Sequence, residues 1–174
     1  MSRHSVRTGA IVLLGACLLV PGTALSDTVR QSADRAAALV RPILDGSGLG
    51  GLRLGQDERL VTRVLGTPRS IEPSNLGERA LSYEVAPGVR LEAHVGGGTI
   101  QAIGLVATGP APARSPQTAR GIALGAPVAS VEERYGRPES AGLWYAAEGI
   151  AFNVAGPSFT VQSIVVIPRG TTAP

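Results

Sequence analysis

The feature that most constrains the fold is a stretch of sequence that occurs twice, with its copies 70 residues apart. The first copy occupies residues 52–68 and the second residues 122–138. Each copy has the pattern of a short apolar strand, a glycine, a short helix and then Gly-x-Pro. A period of this length corresponds to one supersecondary unit, so the sequence predicts a tandem duplication.

Three strands are predicted to follow the helix of each copy. In the first unit they cover residues 81–85, 89–95 and 100–107, and in the second residues 143–147, 150–155 and 159–167. The segment 89–95 alternates apolar and polar residues, whereas 100–107 is apolar on both faces. The predicted fold class is therefore α+β: two tandem αβββ repeats, with antiparallel sheets packed on short helices, preceded by one N-terminal helix.

The helices of both units carry residues that start and stop helices. Asp57 is predicted to cap the first helix, and Pro127 to occupy the first position of the second. Gly66 and Gly136 are predicted to end these helices, with Gly66 in the left-handed conformation that glycine adopts without strain.

The chain divides into six predicted segments. A signal peptide occupies residues 1–26, and residues 27–51 hold an amphipathic helix (28–41) followed by a Gly-rich linker. Repeat 1 covers residues 52–108, a Pro-rich linker residues 109–119, repeat 2 residues 120–168, and a frayed tail residues 169–174.

The N-terminal segment has the pattern of an export signal. Arg3 and Arg7 precede an apolar run at residues 10–20, and Ala24-Leu25-Ser26 forms a small-x-small cleavage site. A second interpretation stays open, because the residues that end in Cys17 have the pattern at which bacterial lipoproteins are cut and acylated. The sequence thus predicts a periplasmic or secreted protein, with an outer-membrane lipoprotein as the alternative.

Composition excludes several classes of function. Cleavage after residue 26 would leave 14 arginines against 13 acidic residues, so charge gives no reason to expect a nucleic-acid partner. Loss of Cys17 would also exclude disulfides and thiolate metal sites. Apart from Cys17, contact with a membrane is not expected, and the oligomeric state is left open.

The sequence shows no catalytic constellation and predicts neither a metal nor a cofactor. After residue 26 the only histidine is His94, which we expect to be solvated on the polar face of its strand. Glu132 and Glu133 are adjacent on a helix, so they point in different directions and are expected to be solvated as well. The glycine clusters lack the context of a phosphate loop and are predicted to be linkers and turns.

The two units differ in the residues that their strands turn outward. In the first unit these residues are polar, as expected of a sheet with one wet face: Ser82, Glu84, Arg90, Glu92 and His94. In the second unit the matching residues are nearly uncharged and include the only Trp of the chain: Trp144, Ala146, Ala151, Asn153 and Ala155.

A dry sheet face needs a cover, and two covers are open. The amphipathic helix at 28–41 could lie on the small alanines, or a protein partner could bind there with Trp144 as its anchor. Tyr145 is predicted to belong to the core. Trp144, Ala146, Ala151, Asn153 and Ala155 are therefore the predicted partner-binding residues.

The pattern Leu-Gly…Val…Leu-Gly-x-Pro at residues 54–68, with its copy at 124–138, resembles the small outer-membrane lipoprotein domain of the barrel-assembly machinery. This resemblance implies a non-enzymatic helper in envelope assembly. Two such units in tandem are similar in plan to secreted β-lactamase-inhibitor proteins, which hold an enzyme against a sheet face. The residues that match are structural, so the resemblance transfers no functional residue.

The sequence therefore predicts an exported, non-catalytic binding module of the bacterial cell envelope that engages a protein partner through the outer face of its second sheet. Two alternatives remain. One is a secreted inhibitor of an envelope hydrolase, and the other is a hydrolase with an unrecognised site built from carboxylates and Arg, which the joint mutation of Glu84, Glu92 and His94 would test.

Overall fold

The structure is a computed structural model, and it describes residues 42–110, 115–139, 142–155 and 159–173 of the 174-residue chain. The predicted signal peptide at 1–26, Cys17 and the predicted helix at 28–41 lie outside the described residues. No helix within the described residues is long and apolar enough to cross a membrane.

The described residues form two helices and nine strands. The helices are α1 (Glu58–Leu65) and α2 (Val128–Tyr135). The first six strands are β1 (Gly48–Leu49), β2 (Leu52–Arg53), β3 (Ser70–Pro73), β4 (Arg79–Ala86), β5 (Val89–Gly96) and β6 (Thr99–Ala107). The last three are β7 (Trp144–Tyr145), β8 (Ile150–Ala155) and β9 (Thr160–Val166). The α+β class is confirmed.

One seven-stranded antiparallel sheet replaces the separate sheets that the sequence predicted. Its strand order is β3-β4-β5-β6-β9-β8-β7, and the two units join where β6 pairs with β9. The last strand of each unit is thus an interior strand of the shared sheet. Residues 100–107 show no alternation because buried apolar residues lie on both faces of β6, with Ile103 and Leu105 in the main core and Ala102 on the opposite face.

The helices lie on one face of this sheet and enclose the main core. Val61 and Leu65 of α1 are buried there, as are Val131 and Tyr135 of α2. Burial of each such Val or Leu side chain contributes about 1.5–3 kcal/mol. The core of the second unit contains three aromatic rings in mutual contact, Tyr135, Tyr145 and Phe152, with centroids 5.2 to 6.0 Å apart.

Asp57 caps α1 as predicted, because its side chain accepts a hydrogen bond from the Arg59 amide at 2.8 Å. Pro127, by contrast, precedes α2 as its N-cap residue and is not its first helical residue. Pro127 has no side chain that could accept a hydrogen bond, so α2 begins without a side-chain cap. Gly66 has positive φ as predicted, but its ψ of −152° is extended and not left-handed helical.

The two units share the same main-chain hydrogen bonds around their helices, two to the sheet and one at the end of the helix. Three bonds of each unit correspond, at lengths of 2.8 to 2.9 Å. With the donor first, they are Gly55–Ile100 and Gly125–Val161, Ile100–Gln56 and Val161–Ala126, and Gly66–Thr62 and Gly136–Glu132. The repeated sequence therefore builds the same local junction twice.

Several segments differ from the sequence prediction. Residues 48–49 pair with residues 52–53 as a small hairpin, so part of the predicted linker is a strand. The edge strand β3 was not predicted at all. The tail is not frayed between residues 168 and 171, because the Gly170 amide donates to the Ala146 carbonyl at 2.8 Å.

Candidate functional site

The outer face of the sheet, on the side away from the helices, carries a second apolar cluster. Its buried residues are Ala102, Trp144, Ala146, Ala151, Val165 and Ile167, and Leu76 packs against them. Trp144 faces Ala151 across β7 and β8, and Ala151 faces Val165 across β8 and β9. We refer to this group as the outer cluster.

The C-terminal tail closes the outer cluster at its edge. The indole Nε1 of Trp144 donates a hydrogen bond of 2.7 Å to the Thr171 carbonyl, and only 8% of Trp144 is exposed. A buried Trp needs a partner for its single N–H, and a main-chain carbonyl of the tail supplies one. The hydroxyl of Thr171 donates to the Pro168 carbonyl at 2.6 Å, which holds the tail in a turn.

The predicted partner-binding residues fall into two groups. Trp144, Ala146 and Ala151 are buried, whereas Asn153 and Ala155 are exposed at alternate positions further along β8. The Asn153 amide donates to the Ser163 hydroxyl at 2.7 Å. Tyr145 is 2% exposed in the main core, where its hydroxyl donates to the Gly136 carbonyl at 3.1 Å.

A cavity of about 340 Å³ lies beside the outer cluster, between the tail and the loop after β3. Ala102 and Ile167 belong to both the cavity wall and the cluster, and Leu76 lines the opposite side. Thr171 lines the cavity as well, so the tail forms one of its walls.

In the first unit the same face of the sheet carries polar side chains that contact one another. Arg69 pairs with Glu84 at 2.6 Å, and Arg90 with Glu92 at 2.8 Å. Glu84 and Arg90 are opposite each other on β4 and β5. The structure therefore places all the charged residues that the sequence assigned to this face in one polar row.

His94 continues the polar row, and the prediction that it is solvated was wrong. It is 8% exposed, and its Nδ1 lies 2.6 Å from the Ser74 hydroxyl. Its Nε2 lies 3.9 Å from Glu92, at the limit of an ion pair. Burial lowers the pKa of His94, and the Glu92 carboxylate opposes that shift in part.

Sequence reasoning missed Ser74 as a neighbour of His94. Ser74 follows Pro73, the last residue of the unpredicted strand β3, and its hydroxyl also accepts a hydrogen bond from the Leu76 amide at 3.1 Å. A Ser two residues before such an amide is typical of a tight turn, but nothing in the sequence links that turn to residue 94.

The polar row holds a hydroxyl next to an imidazole, and a carboxylate next to that imidazole. In that order these groups could move a proton from Ser74 to His94, although Glu92, at 3.9 Å, lies too far from His94 Nε2 to accept a hydrogen bond from it. Among residues 42–110, 115–139, 142–155 and 159–173, no group of three potential ligands could hold a metal ion. Glu132 and Glu133 are exposed on α2, as predicted.

Comparison with known proteins gives no family for the chain. No protein-family model matches the sequence, and no curated protein matches it. A cysteine-rich secretory protein from Staphylococcus aureus is similar in structure, with a TM-score of 0.50 and 11% identity, over 77% of this chain and 49% of its own. An extracellular protein containing an SCP domain from Bacillus anthracis matches with a TM-score of 0.47 and 12% identity, over 66% and 44%. The chain thus spans about half the length of either structure.

The Staphylococcus aureus structure corrects the resemblance drawn from the sequence, because it is a cysteine-rich secretory protein and neither a barrel-assembly lipoprotein domain nor a β-lactamase-inhibitor protein. The Gly-x-Pro pattern on which that resemblance stood records the junction between a helix and a strand. Many unrelated folds need such a junction, so the pattern does not identify a family.

Proposed function

We propose that the protein is exported and works outside the cytoplasm, in the periplasm or beyond it, as a non-catalytic binding module. The signal-like residues 1–26 support export. The Staphylococcus aureus protein with a similar fold is described as secretory, which agrees with this proposal. We also infer that the two units arose by tandem duplication, because their junctions have the same hydrogen bonds.

The observation that carries the binding function is an apolar cluster on the outer face of the sheet, whose edge is closed by a short tail. A domain of this kind needs one core, and the main core already lies between sheet and helices. The outer cluster is additional, and it continues into the exposed, uncharged residues Asn153 and Ala155.

The partner would first contact Asn153 and Ala155 and then use the surface around Trp144. A stable interface needs about 800 Å² from each partner, which two small exposed residues do not provide. Access to Trp144 requires residues 168–171 to move aside. Within the described residues, few hydrogen bonds join the tail to β7 and the turn after it. They involve Trp144 and Ala146.

The test combines a binding assay with the fluorescence of Trp144, the only Trp of the chain. Partner recovery from the native envelope should fall at least tenfold for Ala155→Arg, which places a charge on the exposed part of the face. Ala129→Arg, at an exposed position of α2, is the matched control and should leave recovery unchanged. A bound partner should also change the emission and the acrylamide quenching of Trp144. Equal recovery from both variants would contradict this interface.

A second candidate is a hydrolase, which the 2.6 Å distance between Ser74 and His94 favours. Ser74 Oγ would attack the carbonyl carbon of an ester while its proton passes to His94 Nδ1. The C–O bond to the leaving alcohol would then break as His94 returns the proton to it, and water would hydrolyse the acyl-enzyme by the same route. A fluorophosphonate probe should then label the protein, and Ser74→Ala should abolish labelling while Ser70→Ala does not. Absence of labelling in the wild-type protein would remove this candidate.

A further inference from the structure

The free edge of the sheet at β3 exposes a large apolar side chain. Ile71 is 59% exposed and lies opposite the buried Leu81 of β4. On the side away from β4, β3 has no neighbouring strand within the described part of the chain. β3 is only four residues long and carries Glu72 and Pro73, which limit pairing along an edge, so the apolar part that stays open for pairing is at Ile71.

A groove of about 480 Å³ lies beside Ile71, between α1 and the strands β3 and β4. Pro68, Ile71 and Leu81 provide its apolar surface. Arg59, Thr62 and Arg63 line it from α1, at the spacing that places side chains on one side of a helix. The groove is separate from the outer cluster, because α1 lies on the opposite side of the sheet.

The groove has an excess of positive charge. Arg79 pairs with Glu58 at 2.6 Å, so these two charges compensate each other. Arg59 and Arg63 are exposed, and within the residues that the structure describes neither takes part in an ion pair with a carboxylate. Two arginines thus remain available for carboxylates of a ligand.

The second unit has the opposite charge at the same place. Positions 129, 132 and 133 of α2 correspond to 59, 62 and 63 of α1, and they hold Ala129, Glu132 and Glu133. The corresponding helix surface is therefore basic in one unit and acidic in the other. A helix that only needed a soluble outer surface would not require this contrast, whereas a selective binding groove would.

We propose that the groove binds an extended acidic segment of another protein, which adds to β3 as an eighth strand. Main-chain hydrogen bonds to the free edge would supply affinity. An apolar side chain of the ligand would pack on Ile71, and carboxylates on either side of it would pair with Arg59 and Arg63. The inference is independent of the function proposed for the outer cluster.

The experiment measures the binding of a labelled seven-residue peptide by fluorescence anisotropy. The peptide Thr-Glu-Thr-Val-Thr-Glu-Thr places Glu, Val and Glu on one face of a strand. It should bind at least tenfold more tightly than the same peptide with Lys for Glu. Replacement of the Thr before Val by Pro, which removes a main-chain donor, should abolish binding. Affinity should also fall as salt rises from 50 to 300 mM.

Protein variants test the same groove from the other side. Arg59→Glu combined with Arg63→Glu should weaken binding at least tenfold, whereas Arg53→Glu combined with Arg137→Glu, two exposed arginines outside the groove, should not. Ile71→Thr should weaken binding, and Phe159→Asn, at the other exposed large apolar residue within the described ranges, should not. Ala155→Arg should leave peptide binding unchanged, which separates this site from the outer cluster. No binding at 1 mM acidic peptide, or equal affinity for the Lys peptide, would overturn the proposal.

Discussion

The two copies of the repeated sequence form the same junction with the sheet but differ in the side chains that they present. In both, the glycine before the helix and the residue after it bond to the last strand, and a second glycine bonds to the end of the helix. Their outer faces, their helix surfaces and their cores nevertheless differ in polarity, in charge and in aromatic content. This junction therefore constrains only a few residues and leaves the side chains at the other positions free to differ.

The side chains on the outer face of the sheet make different kinds of contact in the two units. In the first unit, the buried His94 has the half-buried Ser74 as its partner. In the second unit, apolar side chains meet the C-terminal tail, and Trp144 finds its hydrogen-bond partner there. Each solution joins a different loop or tail to the sheet, so we expect each to give a distinct response to mutation.

The largest expected effect is at Gly149, in the turn between β7 and β8, and it is compared with the turn between β4 and β5 of the first unit. Gly149 has a φ of 74°, and a Cβ at this position would lie 2.5 Å from the Gly46 Cα and 2.6 Å from the Ile167 carbonyl oxygen. Gly149→Ala should lower the free energy of unfolding by about 3–5 kcal/mol, from strain and from overpacking. Urea unfolding followed by circular dichroism measures this loss.

The matched variant is Gly88→Ala, in the turn between β4 and β5. Gly88 has nearly the same φ, 73°, but a Cβ there would meet nothing closer than 3.7 Å. Only the cost of positive φ remains, about 1–2 kcal/mol. Equal losses at Gly88 and Gly149 would show that the approach of the Gly46 segment to the second unit does not contribute to stability.

Trp144→Ala should give the next largest effect. The variant loses the packing of the indole in the outer cluster and leaves the Thr171 carbonyl without its donor, which together should cost about 3 kcal/mol. Ser82 occupies the matching position in the first unit, and Ser82→Ala should cost about 1 kcal/mol or less. Differential scanning calorimetry of both variants compares them directly, and a similar loss of stability in the two would contradict the asymmetry.

Much of the fold could be predicted from the sequence because it depends on local signals. Asp57 before a helical pattern, and Gly66 after it, are sufficient to place α1 within a residue or two. Alternation placed β5, and the apolar character of residues 100–107 indicated a strand covered on both faces. The polarity contrast between the two outer faces was also visible, since period-two positions can be read from each strand.

The parts that could not be predicted depend on contacts between distant segments. Nothing local specifies that β6 pairs with β9, so one shared sheet could not be distinguished from two. His94 occupies a polar position by its pattern, yet a loop from an unpredicted strand covers it with Ser74. In the same way, the hydrogen bond from Trp144 to Thr171 joins residues 27 positions apart, and no sequence pattern in the tail predicts it.

A smaller effect is expected where the two helices begin. Asp57→Ala removes a side-chain cap and should cost about 1 kcal/mol. Pro127→Asp adds a cap to α2, but it also gives the unfolded chain more freedom, so its net change should lie within about 0.5 kcal/mol. Urea midpoints distinguish these outcomes. If Pro127→Asp lowered the free energy of unfolding by 1 kcal/mol or more, Pro127 would stabilise the fold by more than its effect on the freedom of the unfolded chain.

The smallest expected effect is a dependence of stability on pH that arises in the polar row and has no counterpart in the outer cluster. Because the pKa of His94 is lowered in the folded state from its usual 6.5, the unfolded chain binds a proton first as the pH falls. The free energy of unfolding should therefore decrease from pH 7 downward, until the pH passes the folded-state pKa. Urea unfolding at intervals of pH should show a flatter profile for His94→Gln. Asp45→Asn is the control. Burial raises the pKa of Asp45 from 3.8, so ionisation of this group lowers the free energy of unfolding as the pH rises above about 3.8, which is the opposite sign to His94. An unchanged slope below pH 7 in His94→Gln would assign the dependence to another group and leave the two faces alike in their response to protons.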